Sequence, residues 1–249
     1  MSITIRSADP DHSIAHFVQS FWMLENASDK DIPSTVLPDG IVDLILLRSG
    51  TEPFQTVLRG VDTQPSHVVL TPKVKMFAVG FKLLAIEYLL KIPVSGLLNE
   101  GEIYTDELWQ FGSNDLDDFE LFCRKASEKI RSVVTGGIDE RKKKLFELLY
   151  ASNGSLSVKE ISEKVYWSAR QINRYFNQQF GIPLKSYCNI LRFRASFDHI
   201  SQGKLFPEQN FFDQAHFIKE VKKLSGALPK ELKQNKNGRF LQFTALAKK

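Results

Sequence analysis

The hydrophobic pattern of this chain changes period near residue 83, and no single-class fold accommodates both halves of it. Before that point, short runs rich in β-branched and aromatic residues are separated by Pro, Gly and Asp. They are Ser20–Glu25, Ser34–Leu37, Ile41–Leu47, Val57–Gly60, His67–Thr71 and Lys75–Lys82. Side chains alternate across a strand with period two, so these runs predict strands. Asp39-Gly40 lies between two of them and is a tight-turn signal. Short strands in this number predict a sandwich or small barrel.

Beyond residue 83 the apolar positions recur every three or four residues, the period of a helix buried on one face. Leu83–Lys91 predicts a helix that stops before Pro93. In Asp115–Val134, the residues Leu116, Phe119, Phe122, Ala126, Ile130 and Val133 form one apolar stripe. Thr135-Gly136-Gly137 follows as a helix end and hinge, and the domain boundary is placed there. Residues 1–135 are then a β-rich sensing and dimerisation domain, and 139–249 a helical domain with a tail.

Residues 139–234 predict helices throughout. Asp139 caps the first, with Leu145, Leu148 and Leu149 on one face. Ser157 and Glu160 form a capping box for the next, with Val158, Ile161 and Val165 inward. Ser168 caps a third, with Ile172, Tyr175, Phe176 and Phe180 inward and Gly181 at its end. Pro183 starts a long helix through Leu184, Tyr187, Leu191 and Ala195. Asp213 caps a further one, closed by Gly226, and Pro229 opens a last short one. In the tail, RFLQF (239–243) is apolar enough to dock. The fold class is therefore α+β: a β-rich sandwich or barrel-like domain with added helices, followed by an all-α domain.

Charge separates the same two halves. Residues 1–138 carry 12 Lys and Arg against 19 Asp and Glu, a net −7; residues 139–249 carry 21 against 10, a net +11. A basic half suits a polyanion, because each neutralised phosphate releases condensed counterions; a solvated basic face with no partner is the plainer alternative. The N-terminus has no basic segment leading into an apolar run, so no signal peptide is expected. The most apolar run, IVDLILL (41–47), is too short to cross a bilayer and contains Asp43. With two widely spaced cysteines, a reducing cytoplasm is the expected compartment.

The segment Ser157–Phe180 predicts two helices joined by the tight turn Tyr166-Trp167-Ser168, a helix-turn-helix without the glycine often found in the turn. Ile161 and Ile172 would lock the pair. Ala169, Arg170, Gln171, Asn173, Arg174 and Asn177 would face outward from the second helix. Arg can reach guanine O6 and N7 with two donors, and Gln or Asn can do the same at adenine. An ordinary helical hairpin with a polar outer face is the competing reading.

Two stretches then carry a family resemblance. SLSVKEISEKVYWSARQINRYFNQQFGIPLKSYCNILRFRAS (155–196) resembles the first helix-turn-helix and linker helix of the AraC/XylS family of transcriptional regulators. FFDQAHFIKEVKKLSGALPKEL (211–232) resembles that family's signature, an aromatic-Asp-Gln-Ser-His-Phe run leading to Gly-x-x-Pro. The resemblance implies a bacterial transcription factor with tandem helix-turn-helix units, both recognition helices entering the major groove on one DNA face. Carried over by position, the first unit would contact DNA through Arg170, Gln171 and Arg174, and the second through Gln214, His216 and Lys219, with Lys222 near phosphate. His216 has an equal alternative in capping or packing its own helix. The second unit departs from the family: QGKLFPEQNFFD (202–213) is short, holds Pro207 and lacks the Ile-Ala scaffold helix. A loop around Phe206 and Phe211 would replace that helix.

HFVQSFWMLE (16–25), VLPDGIVDLILL (36–47) and MFAVGFKLLAIEYLL (76–90) resemble an N-terminal domain found in one branch of the same family. The expected partners are double-stranded DNA, RNA polymerase, a small-molecule effector at the N-terminal domain and a second copy of the chain, with no membrane. The runner-up function is a degenerate helix-turn-helix module that regulates through a protein partner, with only non-specific DNA affinity. Enzyme readings find no footing. His12, His16 and His67 show no metal-ligand spacing, and G-x-S-x-G, P-loop and G-x-G-x-x-G patterns are missing from the sequence. No cofactor, catalytic residue or metal is expected. Cys123 and Cys188 read as helix residues packed among apolar neighbours, a redox-sensing role being the minor alternative. Asp39 reads as a turn former. Phe17, Phe21 and Trp22 suit a β-domain core better than a ligand pocket, and no ligand residue is assigned.

Overall fold

The computed structural model describes residues 3–50, 52–105, 109–134, 136–204 and 213–247. Among the described residues, eight strands come first: β1 (Ile3–Ala8), β2 (Val18–Asn26), β3 (Ile32–Val36), β4 (Val42–Arg48), β5 (Gln55–Arg59), β6 (Ser66–Leu70), β7 (Lys75–Phe81) and β8 (Gly101–Ile103). Six of them form an antiparallel sheet in the order β1-β2-β7-β4-β5-β8, while β3 and β6 pair as a separate two-stranded sheet. Asp39-Gly40 is a turn, as its composition predicts. It does not close a hairpin, because β3 and β4 belong to different sheets. Gly40 has φ +77, and the Asp39 carboxylate accepts the Ile41 N–H at 3.1 Å.

Register decides what each sheet face buries. Opposite pairs Phe21–Val79, Met23–Phe77, Leu44–Val79 and Leu46–Phe77 face the main core. Helix α1 (Phe119–Val133) lies over this face, with the Phe119 and Phe122 rings 5.2 and 5.6 Å from that of Phe77. Its stripe is the one legible in the sequence. On the opposite face, Leu24, Trp22 and Leu47 meet Ile32, Val68 and Leu70 of the small sheet in a satellite core. The result is a small, unequal sandwich. Leu83–Lys91 is helical mainly as a single wide turn, Ile86–Leu90, and ends where Lys91 turns left-handed (φ 57).

The helical half comprises α2 (Glu140–Ala151), α3 (Val158–Val165), α4 (Ala169–Phe180), α5 (Leu184–Ala195), α6 (Phe197–Ser201), α7 (Gln214–Ser225), α8 (Pro229–Gln234) and α9 (Leu241–Leu246). The helix expected after Pro183 runs through Ala195 as α5, and Ser196 separates it from the short α6. Pro229 does not open the last helix, since α9 follows within the tail. The expected loop around Phe206, Pro207 and Phe211, like Thr135 of the hinge signal, lies outside the described residues.

The β lobe and the helical lobe share one apolar core. It runs without a break from Phe17, Leu44 and Phe81 through Leu89 and Val94 to Phe146, Phe180, Tyr187 and Phe243. Tyr187 is fully buried, and its hydroxyl donates across the joint to the Gly40 carbonyl at 3.0 Å. The Leu83 N–H donates to the Tyr150 hydroxyl at 3.0 Å, and the Val94 N–H to the Gln179 carbonyl at 2.8 Å.

Candidate nucleic-acid interface

Capping boxes set the start of both helices of the first unit. Ser157 Oγ accepts the Glu160 N–H at 3.2 Å, and Glu160 Oε2 accepts the Ser157 N–H at 2.8 Å. Ser168 and Gln171 repeat the arrangement for α4. Ile161, Val165, Ile172 and Phe176 are buried between α3, α4 and their neighbours. The turn between the helices needs one left-handed residue, and in place of glycine it uses Tyr166, at φ 52 and ψ 40. That ring is 88% exposed, with Lys144 Nζ 5.9 Å above it, so the position carries backbone strain with little burial to offset it. Trp167 packs behind the turn, 5.3 Å from the Tyr175 ring.

On the outer face of α4, Arg170, Arg174 and Asn177 are exposed. The two remaining polar positions have internal duties. Gln171 is exposed, but its Oε1 accepts from both the backbone N–H and the hydroxyl of Ser168. Asn173 does not face outward as its position predicts. It is half-buried: Nδ2 donates to the Ala169 carbonyl and Oδ1 accepts the Leu184 N–H at 3.1 Å. That N–H belongs to the first turn of α5 and has no partner within its own helix, which is why Asn173 turns inward. In the second unit, Asp213 accepts the His216 N–H at 2.7 Å and starts α7. Gln214, Lys219 and Lys222 are exposed along this helix, and the His216 side chain is half-buried. α6, which follows α5, has five residues, and most of the 202–213 stretch between it and α7 lies outside the described residues.

The inner face of α4 is tied to the β lobe. The Tyr175 hydroxyl donates to Glu87 Oε2 at 3.0 Å, while Lys142 of α2 binds the other carboxylate oxygen of Glu87. Lys142 Nζ also lies 5.0 Å over the Tyr175 ring. Burial, with Glu87 adding to it, holds the Tyr175 hydroxyl well above the usual phenol range, so it stays a donor. Gly181 ends α4 at φ +75 against Ser95, and a Cβ there would sit 2.8 Å from the Ser95 carbonyl oxygen.

A carboxylate group occupies the joint between the large sheet and α5. Asp43 Oδ1 accepts the Trp22 Nε1–H at 2.8 Å, Asp62 holds Arg59 through both oxygens, and Arg194 of α5 donates to the Asp39 carbonyl at 3.2 Å. Burial and the neighbouring Asp39 push Asp43 up to about 7, and burial pushes Asp39 up to about 6 against the opposing pull of Arg194. In the sequence Asp43 has no role beyond interrupting an apolar run; its strand position opposite Gly80 places it on the outer sheet face. Burial raises the Cys123 thiol to about 12 and the Cys188 thiol to about 11, which leaves both as poor nucleophiles near neutral pH. No group of His, Cys, Asp and Glu suited to a metal ion occurs among the described residues.

Three crystal structures of ToxT from Vibrio cholerae are similar to the chain. One, from strain O395, is 12% identical, with 95% of this chain and 99% of that one covered at a TM-score of 0.49. A second is 11% identical over 93% and 97% at 0.46. The third, with an unsaturated fatty acid bound, is 12% identical over 96% and 97% at 0.44. No curated protein sequence matches the chain. Residues 6–101, which hold most of the β lobe, match the model of a domain of unknown function, DUF6597.

Proposed function

We propose that this chain is a regulator of the AraC/XylS type that binds a specific double-stranded DNA sequence and controls transcription. The observation that carries the proposal is α4. It is the second helix of a doubly capped helix-turn-helix, it sits on the basic half of the chain, and Arg170, Arg174 and Asn177 project from its free face. Phosphate contacts by the surplus lysines would supply affinity, and the arginines of α4 would supply specificity. On α7, Gln214, Lys219 and Lys222 are the second set of contacts, with His216 divided between base contact and a place in its own helix. The β lobe would bias this activity, with a small-molecule effector as its input, because the face of α4 turned from DNA is fastened to Glu87.

The short 202–213 stretch, with Pro207 and no Ile-Ala pattern, favours a second reading, in which the helical lobe is a degenerate module that regulates through a protein partner with only non-specific DNA affinity. Selection of bound sequences from a random DNA pool, with the full-length protein at two salt concentrations, separates the two. An enriched motif with two blocks about one helical turn apart supports two reading helices. One block restricts reading to α4. No enrichment, with binding that vanishes at the higher salt, overturns the specific-DNA proposal.

A further inference from the structure

The tail beyond α8 is a built structure. Asn235 turns left-handed (φ 35), and its side chain organises the residues after it. Oδ1 accepts the Phe240 N–H at 2.8 Å, and Nδ2 donates to the Phe240 carbonyl and to Thr244 Oγ1. Thr244 Oγ1 in turn donates to the Gly238 carbonyl at 3.1 Å. This closed loop aims three side chains. Phe240 and Phe243 are buried, with Phe243 5.3 Å from Phe197 of α6, and Leu241 enters the satellite core of the sandwich.

The same segment is stitched to the β lobe. The Thr35 N–H donates to the Arg239 carbonyl at 2.7 Å. Gln242 then imitates a strand residue: its Oε1 accepts the Leu37 N–H at 3.1 Å and its Nε2 donates to the Leu37 carbonyl at 2.9 Å. Two residues further on, Asp39 and Gly40 are gripped from the opposite side by Arg194 and Tyr187 of α5. The short segment Thr35–Gly40 is therefore held at one end by α9 and at the other by the helix that links the two helical units. α9 packs on α6, α8 packs on both α6 and α7, and α7 also packs directly on α5.

We infer that residues Arg239–Leu246 are a strap that braces the second helical unit, beyond the direct packing of α7 on α5, by tying it to the β-lobe segment Thr35–Gly40. The β lobe thereby narrows the placement of α7 relative to α4. The strap organises a reading surface without masking it, since Arg170, Arg174, Gln214, Lys219 and Lys222 are all exposed while it is closed. The consequence for DNA rests on the function proposed above; the mechanical consequence does not.

The test uses the full chain with Gln242→Ala, and with Gln242→Glu as a near-isosteric variant that keeps the acceptor for Leu37 N–H and loses the donor. Unchanged near-ultraviolet circular dichroism checks that each variant folds. Spin labels at Thr4→Cys on β1 and Lys223→Cys on α7, in a Cys123→Ser background, report the distance between the β lobe and the second unit. The expected result is a narrow distribution in the parent and a broad one in both variants, with affinity for a two-block DNA site lowered about tenfold and affinity for a first-block site unchanged. An unbroadened distribution in the folded variants overturns the strap, whatever happens on DNA. A broadened distribution with unchanged two-block affinity overturns its role in setting the reading helices. If the parent protein enriches no specific DNA, the regulator proposal fails, and broadened distances still support the strap as a clamp between lobes.

Discussion

Tyr175 and Glu87 are 88 positions apart in sequence and share a 3.0 Å hydrogen bond that runs from the hidden face of α4 into the β lobe. Glu87 holds Lys142 with its other oxygen, so one carboxylate fixes α4 and also α2, the helix that precedes the first unit. Replacing Tyr175 by Phe keeps the ring packing and removes a donor to a carboxylate, at a cost of about 1.5–3 kcal/mol. The expected result is a lower urea midpoint with an unchanged slope. A stability loss no larger than the error of the fit would show that water replaces the hydroxyl at no cost.

The Asp39–Asp43 pair makes stability fall as pH rises. Both carboxyls have folded-state values raised above 3.8, to about 6 and about 7, so between pH 4 and pH 7 the folded protein binds more protons than the unfolded chain. Their contribution is fully present below about pH 4 and is lost as pH climbs through 6 to 7. Asp43→Asn keeps an acceptor for Trp22 Nε1 and removes the charge. It should raise stability at pH 8 by about 1–2 kcal/mol and flatten the pH dependence between 4 and 7. Thermal melts across that range check it, and a variant less stable than the parent at pH 8 contradicts it.

Tyr166 tests the strained turn. A left-handed conformation costs an L-residue about 1–2 kcal/mol, and this side chain is almost fully solvated. Tyr166→Gly relieves the strain but adds freedom to the unfolded chain, so the expected net change is between zero and about +1 kcal/mol of stability. Tyr166→Val, β-branched at positive φ, should lose more than about 1 kcal/mol. Denaturation of the two variants side by side reads the difference, and equal stabilities would refute the strain argument.

Arg174→Ala and Lys222→Ala should behave differently on DNA. Loss of Arg174 is expected to cost about 1–3 kcal/mol at the selected site and to relax preference at one position. Loss of Lys222 is expected to weaken all sequences alike and to reduce the salt slope by about one. Fluorescence anisotropy on selected and scrambled duplexes distinguishes them; a uniform loss for Arg174 would make it a phosphate contact.

Local chemistry was legible in the sequence wherever the cause was local. Ser157, Ser168, Asp139 and Asp213 cap helices through hydrogen bonds to residues two or three positions away, and Gly181 and Gly226 end them for the same short-range reason. The α1 stripe and the change of period announced the two structural classes. Strand β1 (ITIRSA) alternates apolar and polar residues and could have been found by that signal, whereas β8 is three exposed residues with none.

The tertiary structure decided everything that depends on residues far apart in sequence. Gln171 and Asn173 have the right chemistry for bases, but whether an amide is free depends on which orphan backbone groups lie within reach. Only the fold brings the Leu184 N–H to Asn173. Asp43 looked like an interruption in an apolar run until register set it beside Trp22, and the carboxylates of Asp39 and Asp62 add their charge to its surroundings. Glu87 and Gln242 carry no motif at all, and the turn signal at Asp39-Gly40 says nothing of what grips the Thr35–Gly40 segment. Their roles come from hydrogen bonds that span from 55 to 205 positions, and no periodicity or spacing along a chain encodes a partner at that distance.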